Sequence, residues 1–496
     1  RYVLGSRDIF AVNELPFLNA GSPDNQKSEV TGNALAIQSG FGRLRYNFNE
    51  RYLFESTVRY DGSSRFPQSK KFGFFPSVAA GWRLSEENFF KENESLGFIS
   101  NLKLKVSWGR LGNQNIGNYP YQSVYELGQN YPFGDTYTQG AAVTTAVDPT
   151  IKWEETETID GGLEAVFWNG LLSVNASYFN RRTYDILYKP SGSVSTILGQ
   201  KISEMNTGEL KNFGWEFEVG HRNKIGDVSY NVNANLSIIK NKLTTLGVGN
   251  VEQLNGMVGN GSDLFIGYPI QMYYGYVSDG VFLDENDIKS WYDQSKVTPN
   301  PQPGDIRYKD ISGPDGVPDG KIDPNYDRVY LGSRIPKFTF GLNLGVEYKG
   351  LDLSVLLQGV AGVTGMLDGF AGWAFRGDGN IQKWQAEGRF DPANPTRYPA
   401  YPRLEDLSNS TTPNIVTSDF WTQDASYIRL KNIQLGYTFP KKMLQAAKIS
   451  NLRVYVQAEN PLCWNKYKPG WDPEINTSGN YYPILATYTF GVNFKF

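Results

Sequence analysis

Along many stretches of this chain, apolar and polar residues alternate one by one. Val228, Tyr230, Val232, Ala234, Leu236 and Ile238 alternate with Ser229, Asn231, Asn233, Asn235 and Ser237. Phe338, Phe340, Leu342, Leu344, Val346 and Tyr348 alternate with Thr339, Gly341, Asn343, Gly345 and Glu347. In the final stretch, Ala486–Phe496, Tyr488, Phe490, Val492, Phe494 and Phe496 share one face, and Thr487, Thr489, Gly491, Asn493 and Lys495 the other. A period of two belongs to strands, whose successive side chains point to opposite faces. The pattern recurs at Phe41–Phe48, Tyr52–Tyr60, Lys71–Leu84, Leu102–Gly112, Glu154–Trp168 and Leu172–Tyr184. The whole chain reads as about thirteen strands.

Strand length and face composition separate two all-β architectures. A soluble β-sandwich, such as a secreted carbohydrate-binding module, uses strands of about five or six residues. These strands are longer, and their polar faces are rich in Asn, Ser, Thr and Gly. That combination suits a transmembrane antiparallel β-barrel, with one face towards lipid and the other towards a hydrated interior. The connections also alternate in length. Short ones fall at 48–51, 168–171, 223–227, 349–350 and 440–451. Long ones span 113–150, 242–336, 361–424 and 460–483, with shorter members at 61–70 and 185–203. Barrels of this kind have short periplasmic turns and long extracellular loops. This orientation puts the C-terminus in the periplasm. Ser85–Ser100 reads as a small capped helix on the short side, and the spacing of Lys441–Lys448 as another. An odd strand count cannot close an all-antiparallel barrel, and the chain opens on Arg1-Tyr-Val-Leu-Gly. The expectation is therefore a C-terminal portion, residues 1–496, of a larger barrel.

Composition removes whole classes of function. His221 is the only histidine and Cys463 the only cysteine. A Ser-His-Asp enzyme, a His-ligated zinc centre and an intrachain disulfide are thereby excluded or nearly so. His221 follows a Gly and reads as a solvent-facing turn residue, Cys463 as a packing residue in a loop. A net charge of −3 offers no polyanion-binding surface, so no nucleic acid is expected. No apolar run is long enough for a membrane helix. A mean hydropathy of −0.44 does not argue against a barrel, because only half of each strand meets lipid.

Several motifs, in order along nearly the whole chain, carry a resemblance. They are Arg59-Tyr-Asp-Gly-Ser-Ser-Arg-Phe66, Gly73-Phe-Phe-Pro-Ser-Val-Ala-Ala-Gly-Trp-Arg-Leu-Ser-Glu86, Leu111-Gly-Asn-Gln-Asn-Ile-Gly117 and Trp153-Glu-Glu-Thr-Glu-Thr158. Further on come Tyr274-Gly-Tyr-Val-Ser-Asp-Gly-Val-Phe282, Pro303-Gly-Asp-Ile-Arg-Tyr-Lys-Asp310, Asp424-Ala-Ser-Tyr-Ile-Arg-Leu-Lys-Asn432 and Leu435-Gly-Tyr-Thr-Phe-Pro440. As a set they resemble the SusC/RagA-like TonB-dependent outer-membrane transporters of Bacteroidetes-type bacteria. The resemblance implies a plugged barrel of roughly 22 strands, with the plug domain outside this chain. It implies a SusD-like lipoprotein lid, energy from the TonB–ExbB–ExbD complex, transporter–lipoprotein pairs that can dimerise, and no catalysis. The substrate it implies is an oligosaccharide, with a peptide as the alternative.

Two groups of residues are candidate sites. Sugars present apolar CH faces and hydroxyls, which aromatic platforms with polar rims recognise. The long connections offer Trp373, Phe375, Asp378, Trp384 and Trp421, then Trp471. Packing against a partner or within the loops is the competing reading. In Asp310–Asp327, Asp310, Asp315, Asp319 and Asp323 with their glycines resemble a stretched EF-hand-like loop, which would hold a structural calcium ion. The competing reading is a Gly/Pro/Asp turn cluster. No other cofactor is expected.

Overall fold

The computed structural model describes residues 2–7, 26–189, 197, 199–247, 251–252, 257–260, 263–406, 412–445, 449–467, 471–475 and 482–496. One antiparallel sheet dominates it, with thirteen strands arranged as a meander in which each strand pairs with the next. The strands are β1 (Ile37–Phe48), β2 (Tyr52–Ser63), β3 (Phe72–Arg83), β4 (Ile99–Asn113), β5 (Glu154–Phe167), β6 (Leu172–Tyr188) and β7 (Met205–Ile225). They continue as β8 (Val228–Thr245), β9 (Phe338–Tyr348), β10 (Leu351–Ala361), β11 (Tyr427–Thr438), β12 (Asn451–Asn465) and β13 (Thr487–Lys495). The expected strand count and the alternation of short and long connections are both present. β1 and β13 form the two edges of the sheet, and both run towards the short-turn end.

Register fixes the two faces. Tyr178, Trp215, Ile238 and Phe338 are cross-strand partners in β6 to β9, and so are Ala176, Phe217, Leu236 and Phe340 one step nearer the short turns. This face is apolar, its residues half-buried or exposed. The opposite face carries Asn175, Glu218, Asn235 and Gly341 at matching heights. A one-residue slip would exchange the two faces, so the alternation itself specifies the register.

Three local expectations need correction. Ser85 caps no helix: the 84–96 connection breaks into two 3₁₀ turns and the short helix Asn88–Lys91, and the Ser85 hydroxyl lies 3.4 Å from the Asn101 amide oxygen. His221 is not at a turn. β7 runs on to Ile225, and His221 pairs with Leu172 and Val232 on the apolar face, stacked on Tyr230 at 5.5 Å. Gly220 sits inside the ladder rather than ending it. Cys463 is likewise within a strand, opposite Arg429, because β12 extends to Asn465. The second helical expectation is met over Lys441–Leu444, while 446–448 lie outside the described residues.

The hydrophobic core is not in the sheet. It lies in the long connections, where Tyr273, Tyr276, Val281, Ile306, Tyr308, Leu367, Phe390, Tyr401 and Trp421 pack into one buried cluster. A single-layer wall buries neither face against another protein layer. Loops of sixty to ninety residues would leave many backbone groups unpaired, and they solve this by folding into a body of their own. A smaller cluster of Phe66, Phe75, Ile116, Ile151 and Trp153 caps the wall at β2 to β5.

Candidate functional site

The polar face of β1 to β5 carries a ladder of ion pairs. Arg43 and Arg45 both reach Glu55, at 2.6 and 3.0 Å, and Lys103 and Lys105 both reach Glu164, at 3.1 and 3.0 Å. Arg45, Glu55, Lys103 and Lys105 from these pairs, with Asn47, Ser107 and Asp160, line a concavity of about 520 Å³. Each of the paired charges is partly solvated, so the wall is strongly polar without a large net charge. Towards β8 to β12 the ladder continues in amides and in the Arg453–Asp352 pair, at 2.5 Å. A wall lined this way offers hydrogen-bond donors and acceptors along its length.

Two arginine-centred hubs hold the loop body above that wall. In one, Asp287 of the short helix Glu285–Ser290 accepts hydrogen bonds from Arg307 and Arg397, and the Arg307 guanidinium lies 3.6 Å from the centre of the Trp291 ring. Burial alone would raise the Asp287 carboxyl. The Arg397 hydrogen bond, the Leu283 N–H and the two positive charges outweigh it and hold the carboxyl below its usual range. In the other hub, fully buried Asp305 accepts from Arg403 at 2.5 Å and from the Asn414 amide at 2.8 Å. Here burial wins, and the carboxyl is pushed up despite those partners. Arg397 and Arg403 belong to the β10–β11 connection and Asp287 and Asp305 to the β8–β9 connection, so the hubs lock two loops into one unit.

The aromatic candidates fall in this unit, except Trp471, which packs on it from the β12–β13 connection. Trp421 is 1% exposed, edge-on to Tyr401, and donates its indole N–H to the Asn414 carbonyl at 2.6 Å. It offers no open ring face to a ligand. Trp384 and Trp471, from different connections, both donate to the Gln382 side-chain oxygen at 2.9 Å. Trp373 packs on the same core with the Arg376 guanidinium over its ring. Phe375 is the outward member, in a left-handed conformation with φ of 57°. The Asp378 side chain lies outside the described residues. The structure thus gathers the tryptophans on the loop core, two of them through a shared amide.

The aspartates of 310–323 act as turn caps. Asp310 accepts from the Gly320 N–H and Asp319 from the Lys321 N–H, while Asp323 pairs with Lys296 and accepts from the Asn325 N–H. Asp315 is exposed. Among the described residues, no three acidic, His or Cys side chains come together as a metal cage. The organiser of this turn is Asp327, fully buried, which accepts N–H groups of Ile311, Ser312 and Asp323. Spacing along the sequence gave no sign of it, because its partners lie up to sixteen residues away.

The family model described as TonB dependent receptor-like, beta-barrel, matches residues 4–460. TonB-dependent receptor P3 of Formosa agariphila is 29% identical, over 98% of this chain and 48% of that protein. TonB-dependent receptor SusC of Bacteroides thetaiotaomicron is 30% identical, over 95% of this chain and 44% of that one. The chain spans about half the length of the curated relatives it matches. Among solved structures, the RagAB peptide importer in its open-open state shares the fold, with a TM-score of 0.74 and 24% identity over 98% of this chain and 50% of that one.

Proposed function

Because this chain belongs to the TonB-dependent receptor-like β-barrel family, whose barrels lie in the outer membrane, we propose that it supplies wall and loops of an active importer for an oligomeric nutrient. The observation that carries the reading is the division of labour between the two faces of the sheet and its loop end. The outward face is apolar, the inward face is lined with amides and ion pairs, and the long connections are locked into one body at the entrance. In this reading the C-terminus is periplasmic, a SusD-like lipoprotein covers the loop body from outside, and TonB powers opening.

An oligosaccharide is the cargo that best suits a wall of Asn, Ser and Thr, since each sugar unit brings several hydroxyls to such a surface. A peptide is the second reading, favoured by the ion-pair ladder of Arg43, Arg45, Lys103, Lys105, Glu55 and Glu164, whose charges match peptide termini and side chains. Uptake of defined labelled oligosaccharides and peptides, by cells with and without the gene and with and without TonB, tests both levels. Gene- and TonB-dependent uptake of oligosaccharides alone is the expected result. Uptake of peptides alone would replace the cargo, and uptake independent of TonB would sink the importer reading.

A further inference from the structure

We propose that the outward face of β6 to β9 holds a phosphorylated acyl lipid of the outer leaflet, its phosphate on Lys240 and Lys242 and its chains on the apolar rows beneath. The inference rests on the membrane-spanning reading above.

Register places the parts. Arg110, Glu157, Arg182, Lys211 and Lys242 are successive cross-strand neighbours at one height on the outward face, four cations around one carboxylate. One step nearer the short turns the row is Trp108, Ile159, Asn180, Phe213 and Lys240. The next two steps bring Tyr178, Trp215, Ile238 and Phe338, then Ala176, Phe217, Leu236 and Phe340. Charge gives way to a continuous apolar band within two rows, as it does where a barrel wall passes from headgroups into hydrocarbon.

The cations in this belt are not equivalent. Arg110 pairs with Glu155 at 3.4 Å, and Glu209 takes Arg182 at 2.6 Å and Lys211 at 3.8 Å. Lys240 and Lys242 are exposed and have no carboxylate partner among the described residues. They stand at a notch of about 320 Å³ where β8 runs on past the end of β9, lined also by Phe213, Tyr330, Ile335 and Lys337. An anion seated there meets two uncommitted ammonium groups, with Lys337 on the same notch. A free soluble anion would leave the apolar rows unused. A lipid satisfies both halves of the surface at once, because its phosphate and its chains are separated along the same direction as the two lysines and the band.

The test uses the purified full chain in phosphatidylcholine nanodiscs carrying an acyl glycolipid either bisphosphorylated or enzymatically dephosphorylated. Native mass spectrometry reads how much of each stays bound. The chain is expected to retain the phosphorylated form at least about tenfold more strongly, each lysine contributing about fivefold. Lys240→Ala with Lys242→Ala is expected to erase that preference, and Lys349→Ala at the short-turn end to leave it intact. Heat-modifiable gel migration confirms that each variant is folded. Equal retention of the two lipids, an unchanged preference in the double variant, or displacement by millimolar inorganic phosphate would overturn the assignment. Failure of the unaltered chain to enter the nanodisc at all would instead sink the membrane reading beneath it.

Discussion

One guanidinium nitrogen of Arg429 reaches both carboxylate oxygens of Asp472, at 2.6 and 2.7 Å. Arg429 belongs to β11 and is 2% exposed, while Asp472 belongs to the connection between β12 and β13. Two residues away on each side, the Tyr427 hydroxyl bonds Glu474. The last long connection is therefore stapled to the wall by a buried charge pair. Arg429→Ala strands Asp472 and Glu474, a loss of roughly 3–5 kcal/mol for a buried pair broken on one side. Limited proteolysis should then cut within 471–475 at least tenfold faster. Arg429→Met with Asp472→Leu removes both charges and should recover most of the protection. An unchanged cutting rate in Arg429→Ala would show that packing, not this pair, holds the segment.

Asp287 plays the same part inside the loop body, where Arg307 and Arg397 converge on it. Asp287→Asn keeps the shape and removes the carboxylate that pairs with Arg397 and that Arg307 shares with Asp279. The loop body should lose roughly 3 kcal/mol, seen as an earlier change in the fluorescence of Trp291, whose ring lies under Arg307. Because the loop core and the sheet share few buried residues, heat-modifiable migration of the wall should be unaffected. A simultaneous loss of both signals would mean that loops and wall unfold as one unit.

Acid should act on the loop body in two opposite stages. Asp305 and Asp327 are pushed up mainly by burial. Their ionised forms are disfavoured in the folded state, so they weaken it above their raised values, and acidification towards the ordinary value of 3.8 relieves that cost. In Asp287 and Asp323 burial is outweighed, by Arg397 and Arg307 in the first and by the Lys296 hydrogen bond and the Asn325 N–H in the second, and both carboxyls are lowered. Their contribution is complete above 3.8 and is lost as pH falls through their folded values. Amide-exchange protection across 273–308 should therefore rise slightly from neutral pH towards the unperturbed aspartate value and fall steeply below it. Asp305→Asn should flatten the first stage and leave the second. A monotonic decline from neutral pH would contradict the assignment for the buried pair.

What was legible beforehand followed from local rules. The alternation in Val228–Ile238 or Phe338–Tyr348 names both the strand and its outward face, because each residue's environment repeats every second position. The ends of strands were less legible. Gly220 looks like a turn before His221, yet the ladder with β6 and β8 carries β7 five residues further. The loop core was not legible at all. Asp305 meets Arg403 and Asn414 across about a hundred residues, and Trp384 meets Trp471 through Gln382 across nearly ninety. No period or spacing encodes such contacts, so the aromatics of a long connection leave substrate contact and loop packing both open in the sequence, and the structure packs most of them on the loop core.

Close packing at the loop end of the wall gives a fourth test. The Phe75 ring fills the space above Gly112 and Gly73, and a Cβ on Gly112 would stand 2.0 Å from that ring. Phe75 in turn packs against Trp153 at 5.4 Å within the cluster that includes Phe66 and Ile151. Gly112→Val should evict the ring and cost about 1–3 kcal/mol, as overpacking does. Gly112→Val with Phe75→Ala should be milder than the sum of the two changes, since the second vacates the space the first needs. Urea titration of the folded chain measures both, and strict additivity would show that the ring can move aside freely.

The closing strand decides whether the two faces see different solvents. Phe490 pairs with Val456 on the apolar side of β13, and Thr489 pairs with Gln457 on the polar side. They are adjacent in sequence, share the same two strands and differ only in direction. A lysine on a lipid-facing position near mid-membrane costs roughly 2–4 kcal/mol, whereas the hydrated interior accepts one at little cost. Phe490→Lys should therefore cut the folded yield in vesicles severely, by heat-modifiable migration, and Thr489→Lys should leave it near that of the unaltered chain. The loss of aromatic packing is controlled by Phe490→Leu, which keeps an apolar surface and should fold well. If Phe490→Lys and Thr489→Lys behaved alike, both faces of the strand would be meeting water. The apolar band, its aromatic rows and the lysine belt above it would then need an explanation other than a bilayer.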